Sequence, residues 1–217
     1  IALSIGDLGS SVVGAERERI SRTERYAAGP FIKLGRQARS VFVGSSSPDV
    51  WNSAAAIATM AASHCLAGVP RNGLTSDPER QADLAREAFV FLEKIAAEVL
   101  TKRRDKTKVL AYWRKNIYGT LEANPEKAIP RAKLLHRVGV RTFRVYYPEP
   151  GTGTVETVKK LRKVFGDEIE IFAGQIVSVA QGKKVVEAGA DGHDVAFCAA
   201  RVCRSRLGRS CRCRTSA

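Results

Sequence analysis

The sequence predicts an α/β protein built from parallel βα units, and three observations carry that prediction. Strand-like and helix-like segments alternate over residues 108–197, the links between them are short, and glycines fall where the helices should stop. The composition agrees. Hydrophobic residues make up 44% and charged residues 27% of the 217, which excludes wholesale disorder and collagen-like structure.

Taken in order, residues 1–39 show little pattern beyond a charged stretch, Glu16 to Arg25, and the break Ala27-Ala-Gly-Pro30; they form a first, poorly defined segment. Ser40-Val-Phe-Val43 has the branched and aromatic residues of a strand. Gly44-Ser-Ser-Ser-Pro48 reads as a turn before an alanine-rich helix over Ser53–Leu66. Ser76-x-x-Glu79 with Pro78 is a helix-start signature. The stripe Leu84, Ala88, Leu92, Ile95 and Val99 then carries that helix towards Arg104.

Val109-Leu-Ala-Tyr-Trp113 is rich in β-favouring residues and is assigned to a strand, with a loop through Gly119 after it. Asn124-Pro125 opens a helix ending at Gly139, with Ala128, Ala132, Leu135 and Val138 at helical spacing. Thr142–Tyr147 is the next strand and Pro148 to Gly153 a glycine-bearing loop. Thr154 is the expected cap of a helix whose face is Val155, Val158, Leu161 and Phe165, with Gly166 as its stop. Ile169–Ala173 is a strand, Val179–Ala188 a helix stopped at Gly189, and a last strand falls near Val195. The segments 109–113, 142–147 and 169–173 are expected side by side and parallel.

Residues 198–217 break the pattern. They hold six arginines, no acidic residue, and four of the five cysteines: Cys198, Cys203, Cys211 and Cys213. The net charge, 36 − 22 = +14, would by itself suggest a nucleic-acid partner, but without the tail arginines residues 1–197 carry 14 − 6 = +8. A slip of the reading frame near residue 192 explains the abrupt change, and such a tail is expected to be poorly ordered. A genuine basic tail that binds nucleic acid is the competing explanation, weakened by the lack of stacking aromatics beyond Phe197. The organisation expected is therefore 1–39, a βα domain over 40–197, and an Arg/Cys-rich tail over 198–217. No apolar run reaches the roughly 18 residues of a membrane span. Ile1 is followed by no basic stretch of the secretory kind, which favours a chain starting inside a longer reading frame and a cytoplasmic location.

Ligands of parallel α/β proteins bind where strands end and lead into helices. Three loops are candidates for that edge. Arg114-Lys-Asn-Ile-Tyr-Gly119 offers the cations Arg114 and Lys115. Pro148-Glu-Pro-Gly-Thr-Gly-Thr154 offers Gly151, Gly153 and Thr154 at a helix start, where free N–H groups and the helix dipole favour a phosphate. Gly174-Gln-Ile-Val-Ser178 offers Gly174, Gln175 and Ser178. Each has a plainer explanation: a tight turn for the glycines, a solvated loop for the cations, an ordinary N-cap for Ser178. His64, His136 and His193 stand in no metal or catalytic spacing, and Cys211-x-Cys213 lacks the second pair a zinc site needs.

Several phrases resemble the IMP dehydrogenase/GMP reductase family of phosphate-binding TIM-type (β/α)8 barrels. They are Val138-Gly-Val-Arg-Thr-Phe-Arg-Val145, the glycine-bearing loop, Val155–Phe165, Ile171-Phe-Ala-Gly-Gln-Ile-Val-Ser178 and Val186-Glu-Ala-Gly-Ala-Asp-Gly192, all within residues 105–192. The resemblance implies an incomplete barrel of an oxidoreductase acting on a purine nucleotide, with NAD or NADP as cofactor. The sequence departs from the family at three points. Tyr147 stands at the place of an aspartate that positions the nicotinamide, and Gln175 replaces an asparagine. The glycine-rich loop before the family's nucleophilic cysteine is missing. Cys203 has that cysteine's spacing from Asp191 but none of its glycines, so no catalytic residue is assigned. The expected function is a fragment of such an enzyme, inactive alone, with a small phosphate or nucleotide ligand and an oligomer left open. A non-catalytic ligand-binding barrel and a basic nucleic-acid-binding protein are the alternatives.

Overall fold

Six strands lie side by side in chain order in one parallel sheet: β3 (Phe42–Val43), β4 (Leu66–Val69), β5 (Ile117–Glu122), β6 (Thr142–Tyr146), β7 (Glu170–Ile176) and β8 (Gly192–Val195). Ahead of them, β1 (Ile32–Leu34) and β2 (Gln37–Arg39) form an antiparallel hairpin. These come from a computed structural model that describes residues 32–39, 42–43, 53–146 and 153–195. Tyr147, Gly151, Cys203 and the tail lie outside the described residues.

The helices are α1 (Ala54–Ala62), α2 (Pro78–Val99), α3 (Lys106–Lys115), α4 (Pro125–Arg137), α5 (Thr154–Phe165) and α6 (Val179–Glu187). Parallel strands joined by right-handed crossovers that always step the same way must place their helices on one face. The packing follows: α1 lies against α2, α2 against α4, α4 against α5 and α5 against α6. Strand residues alternate between faces. Val69, Ile117, Leu121, Phe143, Val145 and Ile171 meet the helix residues Leu92, Leu135, Leu161 and Val185 in the main core. The intervening residues Leu66, Tyr118 and Phe172 form a separate buried cluster on the other face.

The hairpin covers the amino ends of the strands. Arg39 is fully buried and Glu170, the first residue of β7, is 5% exposed. Arg39 Nη1 and Nη2 donate to the two Glu170 oxygens at 2.9 and 2.7 Å, and Arg39 Nε donates to Asn116 Oδ1 at 2.9 Å. The Arg36 backbone N–H adds a third donor to Glu170, at 2.6 Å. Arg36 also pairs with Asp191 at 2.7 Å, and Asp191 with Arg162. Residues 32–39 showed no pattern in the sequence because their anchoring is ionic and long-range.

Two assignments are corrected. Residues 109–113 are not a strand: they belong to α3, where Lys106, Val109, Leu110 and Trp113 turn one partly or fully buried face inward at helical spacing. The strand is Ile117–Glu122, in the stretch expected to be a loop. Gly119 sits inside it because a Cβ there would come within 2.6 Å of Leu135 Cδ1, so the glycine lets α4 approach the sheet. The alanine-rich helix ends at Ala62 instead of Leu66, and Leu66–Val69 is the buried strand β4. His64 makes that exit at φ 66°, without the glycine that would have marked it. Smaller shifts concern ends: Asp77, not Ser76, caps α2, which stops at Val99, and Gly153, not Thr154, is the cap residue of α5.

Candidate functional site

Among the described residues, the carboxyl edge of the sheet gathers Glu122, Arg144 and Tyr146 from β5 and β6 and Arg71 from just beyond β4, with Arg131 of α4 beside them. Register places Thr120 beside Arg144 and Glu122 beside Tyr146, so each pair shares a face. Tyr146 links the groups around it. Its carbonyl accepts from Arg71 Nη2 at 3.1 Å, its ring lies 4.6 Å from the Arg144 guanidinium, and its hydroxyl accepts from Gln175 Nε2 at 2.9 Å. Behind them, Gln81 of α2 ties the strand ends together by donating to the carbonyls of Val69 and Thr120, both at 3.0 Å. Arg131 of α4 donates to Gln81 Oε1 at 3.0 Å and pairs with Glu122 at 3.0 Å. Among the described residues here, three guanidiniums face one carboxylate.

Three polar atoms at this edge are buried without a partner among the described residues: Arg71 Nε, the hydroxyl of Thr120, a residue 4% exposed, and the hydroxyl of Thr154 at the start of α5. Leaving a buried polar group unpaired costs about 1–3 kcal/mol. Burial pushes the Arg71 guanidinium below its ordinary value, with Glu122 acting against the shift and Arg131 and Arg144 adding to it.

The residues singled out from sequence divide between the two edges. Gly174 pairs with Tyr146 and Gln175 bonds to its hydroxyl, so both belong to this edge, inside β7 and not in a loop after it. Gly153 lies just before α5 at φ 67°, and a Cβ on it would overlap the carbonyl oxygen of Ala123. Thr154 is the first residue of α5, and its buried hydroxyl has no partner among the described residues. Ser178 caps α6, its Oγ accepting from the Gln181 N–H at 3.3 Å. Ser178→Ala should lower stability by about 1 kcal/mol in urea unfolding.

Arg114 and Lys115 lie at the opposite edge. They occupy the last turn of α3, ahead of β5. Arg114 pairs with Glu93 and lies 5.3 Å from the Phe89 ring, and the Lys115 carbonyl accepts from Thr142 Oγ1 at 2.7 Å. They were placed with the ligand loops because 109–113 was read as a strand; once that segment is a helix, the cations precede the strand. The charge at the carboxyl edge comes instead from Arg71 and Arg144. Arg144 was legible as the one cation among the alternate positions Thr142, Arg144 and Tyr146 of a β-patterned run.

His193 is exposed, and no group of three or more His, Cys, Asp or Glu is placed to hold a metal among the described residues. His64 and His136 sit away from this edge. Both are held below the ordinary imidazole value, His64 by burial and Arg103, His136 by burial and Arg141 against the pull of Glu168. The unfolded chain therefore takes up protons first on acidification. Their contribution to stability is present above the unfolded-state value of about 6.5 and is lost as pH falls from there through the lowered folded-state values. Melting temperature measured from pH 7.5 to 5.5 should fall, and less steeply in a His64→Gln, His136→Gln variant.

The described residues define a parallel βα protein with its helices on one sheet face and Arg71, Arg131 and Arg144 at the carboxyl edge. No family model matches the chain. Among curated proteins it is similar to the Patj homolog of Drosophila melanogaster, at 26% identity over 171 residues, covering 74% of this chain and 20% of that protein. The chain thus spans about a fifth of that relative's length, and likeness at this level assigns no family. No helix among the described residues is long and apolar enough to cross a membrane.

Proposed function

We propose that the chain is part of a (β/α)8-type barrel protein of the IMP dehydrogenase/GMP reductase kind, binding a phosphate-bearing nucleotide at the carboxyl edge of its sheet. The observation that carries this reading is topological: six parallel strands in chain order, with the described helices packed on one face. A sheet wound in one direction has a second face to enclose, and further strands of the same kind would curl it towards closure at about 250 residues. The family-like phrases fall in the order the resemblance requires, over β7, α6 and the start of β8.

A nicotinamide cofactor fits less well. Tyr147 offers a phenol where the family has a carboxylate, and Arg71 and Arg144 would face an oxidised, cationic nicotinamide ring with like charge. No chemical step is assigned to that group, and the chain alone is expected to show no turnover.

Titration of the protein with IMP, followed through backbone amide shifts, tests the reading. The amides of Gly153, Thr154, Gly174, Gln175 and Ser178 should respond together. Silence at millimolar IMP, or a response confined to the amino edge, would overturn it. A barrel that binds without catalysing gives the same titration and is told apart by turnover of a version carrying the remaining βα units.

A further inference from the structure

We propose that Arg71, Thr120 and Arg144 form a binding site for a phosphate-type oxyanion, free or as a monoester, at the carboxyl ends of β4, β5 and β6. The site stands on its own geometry and does not need the barrel or the nucleotide. Arg71 lies two residues beyond the end of β4 and is fixed by its bond to the Tyr146 carbonyl. Arg144 is fixed over the Tyr146 ring, one strand further on. Thr120 lies between them, on the strand that pairs with both β4 and β6, and shares a face with Arg144 by register.

Two features mark this as a place for a ligand. Thr120 is nine-tenths buried or more, yet its hydroxyl proton has no acceptor among the described residues, and neither has Arg71 Nε–H. Both are donors. An oxyanion supplies the acceptors they lack, and charge-assisted bonds to guanidinium are the strong kind. Among the described residues, the nearby carboxylate Glu122 is engaged by Arg131.

The test uses the whole chain and inorganic phosphate at constant ionic strength. Arginine Nε–Hε signals and the Thr120 amide are followed, with acetate and IMP as further arms. Phosphate should shift Arg71, Arg144 and Thr120 together. Arg144→Leu should weaken binding about tenfold or more. Thr120→Val keeps the side-chain shape and should weaken binding several-fold without lowering the melting temperature, since the hydroxyl gives up no partner. That second variant guards against a failure of Arg144→Leu to fold. Displacement of phosphate by IMP from the arginine signals would make the natural ligand a monoester; binding of phosphate but not IMP would make it the free ion. The site is overturned if phosphate leaves these signals unmoved, or if binding is the same in both variants. It is also overturned if acetate shifts them as strongly as phosphate, which would reduce the effect to general cation pairing. A response of Gly153 and Gly174 to IMP with Arg71 silent would sink this site and leave the nucleotide reading standing.

Discussion

Glu170→Ala should cost the protein about 3–5 kcal/mol of unfolding free energy. Glu170 accepts from both Arg39 terminal nitrogens and from the Arg36 N–H, and Arg39 is fully buried. Removing the carboxylate takes from the buried guanidinium the counter-charge it pairs with at 2.7 Å, which is why breaking a buried pair costs more than the intact pair contributes. The converse follows: Arg39→Met together with Glu170→Leu should recover most of the loss, because neither charge is then buried. Urea unfolding of the four species would measure both effects, with the midpoint moving and the slope unchanged. A loss under about 1 kcal/mol for Glu170→Ala would mean that the hairpin leaves the sheet readily and the pair is solvated.

Gly153→Ala is the second large effect, at about 2 kcal/mol or more. The left-handed conformation at φ 67° costs an alanine about 1–2 kcal/mol, and the methyl group would overlap the Ala123 carbonyl oxygen, which belongs to backbone and cannot swing aside. The loss should appear in thermal unfolding without any ligand present. That result would assign Gly153 first to the turn that joins β6 to α5. An unchanged melting temperature would show that the turn relaxes, and would return the glycine's role to ligand approach.

The parts of the fold legible in the sequence were those with local signals. Asn124-Pro125 and Ser178 cap helices as their residue types suggest, and Gly166 and Gly189 stop them at positive φ. What escaped was set by tertiary contact. Val109 to Trp113 has strand-like side chains, but its buried face repeats at helical spacing once Lys106 is included. Ile117–Glu122 was hidden by Gly119, whose purpose is to admit Leu135 from a helix elsewhere in the chain. The candidate site suffered from the same error, since a misplaced strand moved Arg114 and Lys115 to the wrong edge. Arg71 and Thr120 carried no local signal at all; only strand register brings them beside Arg144.

The hairpin and its anchor also set an order of events in time. Arg39 and Glu170 are 131 residues apart in the chain, so the hairpin is synthesised long before the carboxylate that holds it. During synthesis the amino edge of the sheet stays unsealed until β7 has been made, and closing a loop of that length is slow compared with forming each βα unit. Chains truncated before residue 170 should therefore show fast amide exchange at residues 32–39 while α2 and α4 are already protected. The amino-terminal element is then the last to lock.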